Sequence, residues 1–190
     1  MSQGTVAWEG VVQAWQRVTV WLERHAPATA RTGLAPAAPE MIGAAEERMG
    51  VVFPAELRAW LLGAGLDGDP DDVLMGVLPG ISGLLGVRGI ERVYAFKMEI
   101  ERDDPSEEPE FAFWQEGWIP VCSDSDACYG RFMEVSTGRI GSFSDGDVPS
   151  FGDYPSLAAL FGETADAMER ISSGAPGAPG AVESGRLLWH

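Results

Sequence analysis

The sequence predicts an α+β protein. Apolar residues at helical spacing recur through the first hundred positions, and short strand-like segments then fill Trp118 to Ser144 before one last helical stripe. Helices and strands segregated in this way, rather than alternating, belong to that class.

The first stripe covers residues 6–25, where Trp8, Val11, Val12, Trp15, Val18, Trp21 and Leu22 recur on one helical face and Pro27 stops the helix. Large aromatics on such a stripe are cheapest to bury, which assigns them to the core. Residues 28–38 read as loop. PEMIGAAEERMG has Pro39 in its first turn and Gly50 past its end, turning Ile42, Ala45 and Met49 inward. VVFPAELRAWLLGAGLDG repeats the device: Pro54 opens a short helix, Leu57 packs with Trp60 or Leu61, and Gly63 and Gly65 close it.

The uncharged run 73–87 reads as buried strand and turn. It is shorter than the roughly 18 residues a membrane span needs, and Pro79 with Gly76, Gly80, Gly83 and Gly86 would break a helix. Residues 89–102 bring Ile90, Val93, Tyr94, Lys97 and Met98 onto one helical face. ERDDPSEEPE, rich in carboxylates and proline, reads as an exposed loop.

WIPVC, RFMEV and RIGSF are the strands of an antiparallel meander, with Trp118 in the core. SDSD supplies the first turn, and Gly138 the positive φ of the second. Leu157, Leu160, Phe161, Met168 and Ile171 make the closing helix. The Gly/Ala/Pro-rich segment that follows reads as linker, so 173–190 is expected as a flexible tail beyond a domain of residues 1–172, with only LLWH able to dock.

Twenty-nine acidic residues against 13 basic ones give a net charge of −16. That field repels phosphate backbones and anionic membranes, so neither nucleic acid nor membrane is an expected partner. It favours a basic protein, or solubility alone. MSQGTVAWEG has neither a cationic nor an apolar leader region, and two cysteines make no disulfide framework. A cytoplasmic chain with reduced thiols is expected.

WIPVCSDSDACYGRFMEV comes nearest to chemistry, and it falls short. Cys122 and Cys128 have only His25 and His190 to join them, far away in sequence, so no zinc ligand set is expected. Asp67, Asp69 and Asp71 begin a calcium-loop spacing, but Asp72 and Leu78 stand where glycine and glutamate are needed. Neither a nucleophile–base pair nor a phosphate-binding glycine loop is visible. The expectation is a non-enzyme without cofactor or metal.

The motifs, taken in order, resemble the SUKH superfamily in its Smi/Knr branch. Ile42, Glu46, Met49, Gly50, Pro54, Leu57, Asp67 and Gly68 fill its opening signature. Trp114, Trp118, Ile119, Pro120, Val121, Ser123 and Asp124 fill the second, and Gly138, Ile140, Gly141 and Ser156 the third. The chain departs from the pattern where Glu134 or Val135 replaces the usual aspartate, and in lacking a glycine pair in the preceding turn. The resemblance spans about residues 8–172. It implies a single α+β domain, with an antiparallel or mixed sheet of about five or six strands and helices packed on one side.

The resemblance also implies a protein-binding role without catalytic residues. The bacterial immunity proteins of the family neutralise polymorphic toxins, many of them nucleases. Its fungal members are regulators of cell-wall synthesis. Three readings follow: an immunity protein meeting a basic toxin domain, an adaptor for an endogenous partner, or a small-molecule sensor using a cleft near Trp118. For the first, the expected contacts are Asp67, Asp69, Asp71 and Asp72; Asp103, Asp104, Glu107, Glu108 and Glu110; and Asp124 and Asp126. Trp114 is the expected exposed aromatic anchor. A monomer or weak homodimer is expected.

Overall fold

The computed structural model describes residues 4–30, 35–66, 73–80, 83–105, 112–145, 147 and 149–190. In chain order these form α1 (Gly4–His25), α2 (Pro39–Met49), α3 (Ala55–Ala64), β1 (Val73–Leu74), β2 (Gly83–Leu85) and α4 (Val87–Asp103). Next come β3 (Trp118–Ser123), β4 (Tyr129–Glu134), β5 (Ile140–Ser144), β6 (Ser150–Tyr154), α5 (Leu157–Ser172), β7 (Gly180–Glu183) and β8 (Arg186–Trp189).

The first six strands make one sheet in sequence order, each antiparallel to the next. The α+β class and the antiparallel sheet are as expected, and the meander is its centre. Ile119, Met133 and Ile140 lie in register on one face; Pro120, Phe132 and Gly141 lie in register on the other. Both rows are buried, so both faces are covered at the sheet centre.

Two glycines make the aromatic face possible. The Phe143 ring lies across Gly130 on the facing strand, and the Phe132 ring across Gly141. A methyl group at either glycine would come within 2.6 Å of the ring.

α1, α3 and α5 pack together through interlocked rings. Trp15 stands 5.7 Å from Trp60 and 4.9 Å from Phe161, and Trp60 stands 5.1 Å from Phe161. Burying each such side chain contributes about 1.5–3 kcal/mol. The start of α5 is satisfied from two places: Ser156 Oγ accepts the Ala159 N–H, and Glu56 of α3 accepts those of Leu157 and Ala158 at 3.0 and 2.8 Å. Burial pushes the Glu56 carboxyl up, while the two backbone N–H groups pull it back.

The expected flexible tail is corrected. Residues 180–189 form a hairpin, registered from Gly180↔Trp189 to Glu183↔Arg186. Ser184 and Gly185, at φ 50° and 74°, make the tight turn whose twist suits two strands. Leu187 is buried in the common core. The Leu187 N–H donates to Thr29 Oγ1 at 2.8 Å, the Ala28 N–H to the Gly185 carbonyl at 2.8 Å, and Trp189 Nε1 to the Gly76 carbonyl at 3.2 Å. Apolar residues on both sides of Ser184-Gly185 outweigh the linker composition before them.

Candidate partner-binding surface

One end of the sheet gathers carboxylates from two connections. The β3–β4 turn and the chain leaving β5 lie side by side, the Asp145 N–H donating to the Cys128 carbonyl at 2.9 Å. Within the turn, the Asp124 carboxylate accepts the N–H groups of Cys128 and Tyr129 at 2.8 and 3.0 Å. Asp124 therefore shapes the turn, an aspartate closing its own loop.

Asp145 is held by Lys97, the single lysine of the chain, across 3.2 Å. Lys97 is only 1% exposed, and its ammonium lies 4.6 Å from the Phe113 ring centre and 4.9 Å from that of Phe143. A buried ammonium needs such partners, a carboxylate and two ring faces, to offset its lost water. The Cys128 thiol and Lys97 hold the Asp145 carboxyl below its ordinary range against the opposing effect of burial.

The same contact pushes the Cys128 thiol up to about 11, chiefly through Asp145, with burial and the charge of Asp124 adding to it. A group raised so far is thiol, not thiolate, at neutral pH. Alkylation of Cys128 at pH 8 is expected to run roughly tenfold slower than that of a free cysteine, since scarce thiolate outweighs its higher intrinsic nucleophilicity. Asp145→Asn should speed it; mass-spectrometric labelling rates across pH 7–10 check this, and an ordinary cysteine rate in the unaltered chain contradicts it.

With Asp124 and Asp145 engaged, Asp126 and Asp147 stand exposed, touched by the hydroxyls of Ser125 and Ser144. Two aromatic rings are exposed: Tyr129 at the start of β4, 44% exposed, and Phe151 of the edge strand β6, 56% exposed. Phe151 sets its edge against Trp118 and Phe132 at 5.2 and 5.7 Å, so it is fixed from beneath. Arg131 lies over Tyr154 at 5.1 Å and reaches Asp153 at 3.4 Å. Among the described residues no cluster of three His, Cys, Asp or Glu is placed to hold a metal ion.

Trp114 is not the exposed anchor the sequence pointed to. It is 2% exposed, with Trp118, Phe132 and Phe143 around it at 5.2–5.7 Å, and its backbone N–H donates to the Glu101 carboxylate at 3.2 Å. The apolar floor left open by Gly130 and Gly141 draws the indole inward.

Asp103 and Asp104 are exposed at the end of α4, where the helix dipole disfavours carboxylates, so stability does not explain them. Asp67, Asp69, Asp71, Asp72, Glu107, Glu108 and Glu110 lie outside the described residues. Tyr129 and Phe151 escaped sequence reasoning, because YGRFME and SFGDY read as ordinary strand or lead-in residues. Only the opposing Phe side chains in register with glycine hinted at a ring-lined face.

What decides the family is the sequence from just before α2 into α5. The sequence model of the SMI1 / KNR4 family (SUKH-1) matches residues 36–163, well over half of the chain. The chain belongs to this family. Comparison with curated proteins finds no match. SUKH-1 membership supports a protein-binding module of the immunity or regulator type. The match starts after α1 and stops within α5, yet α1 and the β7–β8 hairpin add Val11, Trp15, Val18, Leu22 and Leu187 to the same core. Among the described residues no helix is long and apolar enough to cross a membrane.

Proposed function

We propose that the chain is a non-enzymatic cytoplasmic immunity protein, which neutralises a toxin by covering a basic domain with the acidic end of its sheet. The observation that carries this is the exposure of Asp126 and Asp147 in a chain of net charge −16, with Tyr129 and Phe151 on the neighbouring strands. Carboxylates whose neighbours are already paired inside the fold are the ones left for a partner. A basic cleft that grips phosphates is steered toward such a surface and blocked by it. The exposed rings supply the desolvated contact that sets residence time.

The test is association and dissociation kinetics, over a salt series, with a basic partner domain identified by pull-down and intact-mass analysis. Asp126→Asn with Asp147→Asn is expected to slow association and flatten its salt dependence, while Phe151→Ala speeds dissociation roughly tenfold. An association rate indifferent to salt and to both aspartates would leave the charge to solubility and sink the reading.

A further inference from the structure

A second surface lies on the helices, between α1 and α3. α1 carries two parallel seams. Val11, Trp15, Val18 and Leu22 are its buried one. Beside them run Glu9, Val12, Gln16, Thr19 and Glu23, in alternating steps of three and four, exposed except for half-buried Thr19. That repeat keeps a stripe facing a neighbouring helix over many turns. Among the described residues no helix covers it.

Opposite stand Ala59, Gly63 and Ala64 of α3, closing a groove of about 510 Å³ floored by Trp15 and Trp60. A methyl group at Gly63 would meet nothing within 4 Å, so the wall there is bare backbone facing open space. Trp60 is 1% exposed, and its buried indole N–H has no acceptor among the described residues. A buried donor left unpaired is costly until something supplies an oxygen.

Shape and charge specify the occupant. Small residues on one wall let another helix approach closely. From Glu9 to Glu23 the stripe runs roughly 21 Å, about four helical turns. Among the described residues no lysine or arginine lines the groove, and a carboxylate stands at each end of the stripe in a chain of net charge −16. A second copy packed antiparallel through this stripe would set Glu9 against Glu23, adding like-charge repulsion. A basic partner meets no such penalty.

We propose that the α1–α3 groove binds an amphipathic helix of a partner protein, with a compact apolar centre, a hydroxyl or amide oxygen facing Trp60, and basic side chains about four turns apart facing Glu9 and Glu23. This surface is separate from the sheet end; α1 lies outside the residues that the family model matches and α3 within them.

The probe is a synthetic helical peptide of about 18 residues, with alanine, leucine and one central threonine on one face and lysine at both ends; a glutamate-for-lysine version is the control. The readout is the Trp60 indole N–H resonance of the isotope-labelled full chain, assigned by its loss in Trp60→Phe. The lysine peptide is expected to move it saturably and to bind roughly tenfold more tightly than the glutamate peptide. Gly63→Leu, whose Cβ would meet nothing within 4 Å, should abolish the shift while leaving the thermal midpoint unchanged or higher.

No saturable shift, equal binding of the two peptides, or binding that survives Gly63→Leu would overturn the proposal. So would self-association that Gly63→Leu removes, which would give the groove to a second copy. Asp126→Asn with Asp147→Asn should leave peptide binding intact, so failure here and failure at the sheet end are separable.

Discussion

Replacing Trp118 with alanine is expected to lower stability by about 3–5 kcal/mol, as truncating a buried aromatic does. Trp118 stacks on Phe132 at 4.7 Å, meets Trp114 edge-on at 5.6 Å, and supports Phe151 from beneath. Its loss leaves a cavity under three rings and removes the floor that holds the exposed one. Against a total of about 5–15 kcal/mol, that is a large share of what keeps a domain folded. Trp114→Ala should cost a similar amount. Urea unfolding measures both, and the midpoint should fall with little change in slope. A loss under about 1 kcal/mol for either would mean that the aromatic face repacks freely. Trp114→Ala also separates two roles: a core residue changes the unfolding midpoint, a partner anchor changes dissociation from a still-folded protein.

Deleting residues 174–190 is expected to cost about 2–3 kcal/mol, seen as a fall of roughly 5–10 °C in thermal midpoint. Burial of Leu187 is worth about 1.5–3 kcal/mol and each of the hairpin's bonds to the body of the fold about 1 kcal/mol, offset by the entropy of ordering the segment. The bonded groups, on Ala28, Thr29 and Gly76, come from the turn after α1 and the connection after β1, so the hairpin ties both. Leu187→Ser in the full chain should show much of the loss. A midpoint that stays put on deletion would contradict a docked hairpin.

Local rules were enough for most elements. Pro39 and Gly50 bracket α2, Pro54 precedes α3, and Gly65 at φ 62° ends it, because proline and glycine act on their own backbone wherever they stand. The meander was legible for the same reason: alternation and turn residues are properties of neighbours in sequence. Composition misled at 173–190, where Gly, Ala and Pro hid the hairpin signal of Ser184 and Gly185.

What only the tertiary structure decided is which side chains remain for a partner. Asp124 and Asp126 are alike in sequence, yet two backbone N–H groups claim Asp124 and leave Asp126 outward. Lys97 falls on the apolar face of its helix by spacing alone, yet only the fold brings it its carboxylate, Asp145, in a loop 48 residues along the chain. Trp114 and Phe151 are both aromatic, yet one is buried edge-on among Trp118, Phe132 and Phe143 and the other sets its edge against Trp118 and Phe132 from outside. Net charge and helix spacing are sums over the chain and can be read from it. Exposure is a competition among distant groups for the same water-free volume, and it is settled only when the chain has folded.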